Sequence, residues 1–261
     1  MPSVSTIAAF LEELAPSRLA EDWDNVGLLV GRRNQPVKKL MTCLTVTPAS
    51  AAEAVEAAAD LIVTHHPIPF SALKRLTEET TPGRLLLDLI GARVAVYSAH
   101  TAFDSAGQGI NQRLAEGLGL GEIAPLLTQS EAVEGAGRWG RLDGPIALEQ
   151  LAQRAKRFLG IERLQMVGPP AKHVRTVAVA CGAAGEFLDA ACQHGCDAML
   201  LGEARFHTCL EAEAAGVGLL LPGHYASERF ALECLADVLA DQFPDVHVWA
   251  SREECDPLRW A

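Results

Sequence analysis

Apolar and polar positions follow two different periods along this chain, and the switches between them mark its elements. Residues 38–47 (KKLMTCLTVT) read as a strand, and the Ala/Glu-rich stretch 48–59 reads as a helix. Asp60 leads into a second apolar run, Leu61-Ile62-Val63, which stops abruptly at His65, His66 and Pro67. Residues 85–90 read as a helix stopped by Gly91, and residues 93–98 as a third strand running to His100. This βαβαβ order is that of a parallel sheet with helices over its faces. Ahead of it, the N-terminus reads as an amphipathic helix capped by Ser5 or Thr6, with Ile7, Phe10, Leu11 and Leu14 on one face.

The second half repeats the order. Residues 176–182 (TVAVACG) read as a strand, 186–193 as a helix, and 197–201 as a strand ending at Gly202-Glu203. A helix containing 206–214 stops at Gly216, and a strand over 217–221 runs to His224. Cys43 and Asp60 lie 17 positions apart, Cys181 and Asp197 lie 16, and six positions beyond each Asp stands a polar residue, His66 or Glu203. The third strand of each half leads into His-x-x-x-acid, His100-Thr-Ala-Phe-Asp104 and His224-Tyr-Ala-Ser-Glu228. The expected fold is therefore α/β, two similar lobes with mainly parallel sheets. A first lobe over 1–125 is completed by the C-terminal segment, a second lobe spans 126–226, and a helix and tail over 227–261 pack on the first lobe. A less regular, Gly-rich connection is expected across 120–150, including GAGRWGRLDG at 135–144, with a helix near 147–158.

Composition narrows the function classes. With 22 Lys and Arg against 33 Asp and Glu, the formal charge is −11, which argues against a general nucleic-acid or membrane-surface binder. No apolar run approaches the roughly 20 residues of a membrane helix, and the N-terminus lacks the basic and apolar regions of a signal peptide. Seven scattered cysteines then point to reduced thiols in a cytoplasm. Cys192 and Cys196, with His194 between them, have no second ligand pair at a zinc spacing and read as buried small hydrophobes.

In parallel α/β sheets, ligands sit outside the carboxyl ends of strands, where His65, His66, His100, Asp104, His224 and Glu228 all belong. A lone histidine there is ordinarily a solvated side chain. Adjacent histidines on a strand point to opposite faces, so His65 and His66 reach one site only where the strand breaks, and Pro67 enforces that exit. Imidazole suits zinc, iron or manganese, and carboxylates can bridge two hard cations. These residues are enough for a pair of divalent ions about 3.5–4 Å apart with positions left for water or substrate.

Other polar positions carry less. Gly182-Ala-Ala-Gly185 could hold a phosphate on its amides but reads first as a tight turn, as does Asp22-Trp23-Asp24-Asn25-Val26-Gly27, whose Trp could line a pocket. His207 could support the site from behind or lie on a helix surface; His173, His194 and His247 suggest no role.

DWDNVGLLVG (22–31), TPASAAEAVEAAADLIVTHHPIPF (47–70), VYSAHTAFD (96–104), GEARFH (202–207) and GHYASE (223–228) together resemble the Nif-three-like family, whose members commonly carry the name GTP cyclohydrolase 1 type 2. The resemblance implies two α/β lobes with a dinuclear metal site between them and a ring-shaped homohexamer. At 261 residues the chain should be the short form, without an inserted domain. It implies metal binding by His65, His66, Asp104, His224 and Glu228, with His100 beside the metals rather than necessarily on them; in a hydrolase His100 would be the catalytic residue, the natural proton shuttle. Where the family often has an acid before Val-Thr-Pro, this chain has Thr45, so the support of the ligands should differ here. The implied activity is hydrolysis of a nucleotide or other phosphorylated small molecule. A non-catalytic role in metal handling or regulation is the alternative, and a scaffold tied by structural metals a third reading.

Overall fold

The computed structural model describes residues 1–128 and 134–259. Its strands, in chain order, are β1 (Gly27–Val30), β2 (Lys39–Cys43), β3 (Leu61–Thr64), β4 (Ala95–Ser98), β5 (Gly121–Thr128), β6 (Gly135–Ala147), β7 (Gln165–Val167), β8 (His173–Ala180), β9 (Ala198–Leu201), β10 (Gly218–Leu221) and β11 (His247–Ala250). They form two sheets, ordered β1-β4-β3-β2-β11 and β5-β6-β8-β9-β10-β7. Each belongs to one compact unit, the first made of Met1–Phe103 with Ala231–Ala261 and the second of Asp104–Phe230. The expected α/β fold of two similar lobes is what the chain adopts.

In the first unit β11, β2, β3 and β4 are parallel, and β1 is added antiparallel beside β4. β3 and β4 are buried at every position, as strands covered on both faces require. Met41, Cys43, Ile62 and Val96 pack with Ala51 and Ala54 of the helix Pro48–Glu56 and Leu85, Leu86 and Leu89 of the helix Thr81–Gly91. The period-2 neighbour Thr42 points the other way and donates to the Leu232 carbonyl of the long helix His224–Gln242, 2.7 Å away. Phe243, just past that helix, meets Phe10 edge-on at 5.7 Å. Phe10 belongs to the N-terminal helix Val4–Leu14, whose cap is Ser3 rather than Ser5 or Thr6. Ser3 takes the role because Thr6 falls at the third helical position, and the two side chains cap each other's backbone amides.

The second unit keeps the parallel triad, β8-β9-β10, and flanks it with antiparallel β6, β5 and β7. Ala178, Ala180, Met199, Leu201, Leu219 and Leu221 pack with Leu188, Ala190, Ala191 and Ala212 from the helices Leu188–Gln193 and Phe206–Ala215. The Gly-rich stretch expected to be an irregular connection is instead β6, a 13-residue strand paired with both β5 and β8; residues 129–133 of that stretch lie outside the described residues. Glycine lowers strand propensity, but here close packing requires it: a Cβ on Gly140 would stand 2.7 Å from the Gly121 carbonyl. Arg138 in the same strand is fully buried, and its five N–H groups donate to the Gln112 side chain and the carbonyls of Gly135, Gly137, Ser105 and Ala106.

The internal repeat is realised hydrogen bond by hydrogen bond. The Asp60 carboxylate accepts from the amides of Lys38 and Lys39 at the start of β2, and Asp197 accepts from Arg175 and Thr176 in β8. His66 N donates to the Leu44 carbonyl as Glu203 N donates to that of Gly182. Two residues ahead of each Asp the backbone is left-handed, at Ala58 (φ 53°) and Gly195 (φ 65°). The same holds ahead of β4 and β10, at Arg93 (φ 60°) and Gly216 (φ 71°). Only the second unit carries the glycines that this conformation favours.

Candidate metal centre

β3 ends at Thr64, so His65 and His66 stand beyond the strand, as the break at Pro67 predicts. Their backbone still follows β2, through His65 N to the Cys43 carbonyl and His66 N to that of Leu44, and Ser98 Oγ donates to the His65 carbonyl at 2.6 Å. The rings consequently share one site, with centroids 5.0 Å apart. His100 completes the group, 5.1 Å from His65 and 5.5 Å from His66 and nearly perpendicular to both. One ligand nitrogen from each of the three lies within 4.8 Å of the others. An ion with about 2.1 Å metal–nitrogen bonds needs nitrogens about 3.4 Å apart in tetrahedral geometry, so small ring movements would close them on a cation. The group could hold a metal ion.

The side chains behind these rings were largely invisible to sequence reasoning. The Asp24 carboxylate, its side chain fully buried, takes His100 Nδ1 at 2.7 Å and also accepts from the Thr101 amide and hydroxyl. Burial alone would raise this carboxyl, but the bonds from His100 and Thr101 outweigh it and bring its pKa down to about 2. The carboxylate at Nδ1 fixes the orientation of the His100 ring. His66 Nδ1 meets the Thr45 hydroxyl at 2.7 Å, so the residue that departs from the family's acid contacts a histidine directly. Glu254 fixes that loop by accepting from the amides of Leu44 and Thr45. The segment expected as a turn has one at Asp22-Trp23 and runs into β1 at Gly27; it supplies Asp24, and the Trp23 and His100 rings stand 5.9 Å apart.

The two His-x-x-x-acid segments open helices directly rather than lying on strand ends. The helix His100–Ser105 starts at the first and His224–Gln242 at the second. A spacing of four on a helix sets both side chains on one face, and His224 Nε2 reaches Glu228 Oε2 at 3.2 Å. On the other side of the ring, Nδ1 meets Glu203 Oε1 at 3.0 Å. The Glu228 bond raises the His224 pKa, burial opposes it, and the Glu228 charge and Glu203 add to the rise, to about 9. Gly182, at φ +64°, makes room for the pair: a Cβ there would stand 2.4 Å from Glu228 Oε1 and 3.4 Å from His224 Nε2. Asp104 is held by Cys181, whose buried thiol donates to Oδ1 at 3.0 Å. Burial first, then the charges of Asp104 and Glu228, keep that thiol protonated. Asn111 joins the same two residues, accepting from Cys181 N and donating to the Asp104 carbonyl.

Other sequence candidates find different uses. The Gly182–Gly185 segment is the turn that opens a short helix, and Gly182 N donates to Ser227 Oγ. Cys196 is in the core as expected, but Cys192 is exposed; His194 Nε2 donates to the Leu126 carbonyl and the ring stacks on Trp139. His207 is exposed, beside Phe206. Among the described residues, no helix is long and apolar enough to cross a membrane.

The chain is similar to known proteins in sequence and in fold. A "GTP cyclohydrolase 1 type 2 homolog" of Streptomyces coelicolor is 34% identical over 258 residues, 97% of this chain and 90% of that protein. A "Protein NIF3 homolog" of Schizosaccharomyces pombe is 33% identical over 97% of this chain and 96% of its own length. In fold, the chain is similar to the crystal structure of a Bacillus cereus protein related to NIF3, with a TM-score of 0.89, 22% identity, and coverage of 100% of this chain and 99% of that one. The model of the Duf34/NIF3 (NGG1p interacting factor 3) family matches residues 2–257, and the chain belongs to that family.

Proposed function

We propose that this protein is a metal-dependent hydrolase that binds two divalent ions through His65, His66, Asp104, His224 and Glu228 and acts on a nucleotide or other phosphorylated small molecule. The observation that carries this reading is that the His65 and His66 rings share one site, 5.0 Å apart, with His100, anchored by a buried carboxylate, 5.1 and 5.5 Å away beside them. Nitrogen and carboxylate oxygen donors suit zinc, iron or manganese. When bound, such ions lower the pKa of a coordinated water and polarise the scissile group. Thr45 and Glu203 orient His66 and His224 by holding their second nitrogens. Cys181 and Asn111 fix Asp104, and Glu228 would serve both ions. His100, held in one orientation by Asp24, moves the proton between water and leaving group at Nε2. The names of the relatives, GTP cyclohydrolase 1 type 2 among them, favour a nucleotide.

The test compares wild type, His65→Ala, His100→Ala and Glu228→Ala for metal content and for hydrolysis of a panel of nucleotides and phosphoesters. His65→Ala should lose metal and turnover together, and Glu228→Ala should lose both ions. His100→Ala should keep its metal and lose about 10²–10⁴-fold in rate. Metal-replete wild type inert across the panel, with ions that exchange readily, would transfer the reading to metal handling. We also propose a homohexamer of cytoplasmic protein, on family resemblance; a particle of about 28 kDa in light scattering, the mass of one chain, would refute it.

A further inference from the structure

Within the first unit, two large aromatic side chains stand unusually bare: Trp23 is 61% exposed and Phe70 56%. Their rings are 5.9 Å apart and tilted by 39°, and each lies 5.9 Å from the His100 ring, which meets both edge-on. This is a built arrangement. Asn25 Nδ2 donates to the Pro69 carbonyl at 2.9 Å, tying the turn that carries Trp23 to the loop that carries Phe70. Asp24, between Trp23 and Asn25, is bonded to His100. Three consecutive residues therefore set the distance of an aromatic pair from the imidazole that the reaction would use.

We propose that Trp23 and Phe70 form a platform for the planar heteroaromatic ring of the substrate, a nucleobase or a ring of that kind, and so select ring-bearing phosphorylated substrates over those without one. The proposal rests on the hydrolase reading for the placement of the reacting end at the histidines. Aromatic faces left in water favour covering by another flat π system, and such stacking tolerates different bases because every base presents a π face. A phosphorylated substrate directs its anionic end to bound cations, which leaves its ring for the neighbouring apolar surface. The rim of His100, one ring away, joins the two subsites. Leu73 and Leu76, 41% and 42% exposed in the same loop, also suit contact with a second copy of the chain, which the test separates by mass.

The experiment is calorimetric titration of the full-length, metal-loaded protein with guanosine 5′-monophosphate and with ribose 5-phosphate, which share sugar and phosphate and differ in the ring. Wild type should bind the nucleotide more tightly. Trp23→Ala and Phe70→Ala should each weaken nucleotide binding by about 5- to 150-fold, the fold-change of one lost stack, and leave ribose 5-phosphate binding and metal content unchanged. Trp23→Phe should retain most of the nucleotide affinity. Equal wild-type affinity for the two probes, no nucleotide binding at millimolar concentration, equal weakening of both probes, or a changed particle mass in the alanine variants would each overturn the platform. Ring-selective binding without turnover would leave the platform standing and sink the hydrolase; turnover of ring-free phosphoesters, with no preference for the nucleotide, would do the reverse.

Discussion

Replacing Gly182 by alanine separates the geometry of the His224–Glu228 pair from the stability of the fold. The new Cβ would stand 2.4 Å from Glu228 Oε1, where ordinary contact begins at 3.4 Å, so the carboxylate must retreat by about 1 Å. Because that oxygen ends a flexible side chain, the retreat costs little energy, but metal coordination tolerates only about 0.2 Å. The backbone adds its own cost. An alanine at φ +64° loses about 1–2 kcal/mol to left-handed strain, and a stiffer unfolded chain returns about 0.4–1 kcal/mol. A net loss of about 1 kcal/mol follows. Gly195 is the control, since its φ is +65° and nothing lies within 4 Å of its Cβ position. Gly182→Ala and Gly195→Ala should show similar loss in urea denaturation, while only Gly182→Ala loses metal by elemental analysis. Equal metal content in the two variants would refute the role given to the Gly182 cradle.

Thr45→Val keeps the shape of the side chain and removes the hydroxyl on His66 Nδ1; metal affinity should fall about 10- to 100-fold with unchanged thermal stability, and an unaltered metal titration would show that the contact is dispensable. Ala58→Gly and Arg93→Gly, at left-handed positions where the second unit has glycine, should each stabilise by about 0.5–1 kcal/mol; a lower urea midpoint in either would contradict the repeat argument. Glu53 accepts from Trp249, Ser251, Arg252 and Glu253, and although burial alone would raise its pKa, these bonds bring it below the ordinary 4.5. A depressed carboxyl stabilises above its unfolded value and loses that contribution as pH falls through its folded value. Hydrogen-exchange protection over 247–255, corrected for the intrinsic rate at each pH, should therefore fall selectively below pH 4.5, and uniform protection changes across the chain would count against it.

The sequence by itself determined the two α/β lobes, because the period-2 runs, the polar residues between them and the Asp anchors are local signals. The Asp60 and Asp197 carboxylates cap the neighbouring strand in the same way, and that is why the spacing from Cys43 and Cys181 was legible. It also pointed to the candidate ligands, since the residues within His65-His66-Pro67 and within each His-x-x-x-acid segment lie close together along the chain. It misjudged β6, where glycine content suggested an irregular connection; the glycines serve close approach of neighbouring backbone, and sheet pairing on both sides outweighs their poor strand propensity. What only the tertiary structure decided is the support of the site. Asp24 reaches His100 from 76 residues away, Thr45 reaches His66 from 21, Asn111 reaches Cys181 from 70, and Glu254 reaches Leu44 from 210. A side chain's local pattern says whether it is buried or exposed, but a hydrogen bond across such separations exists only once the sheets have brought its two ends together.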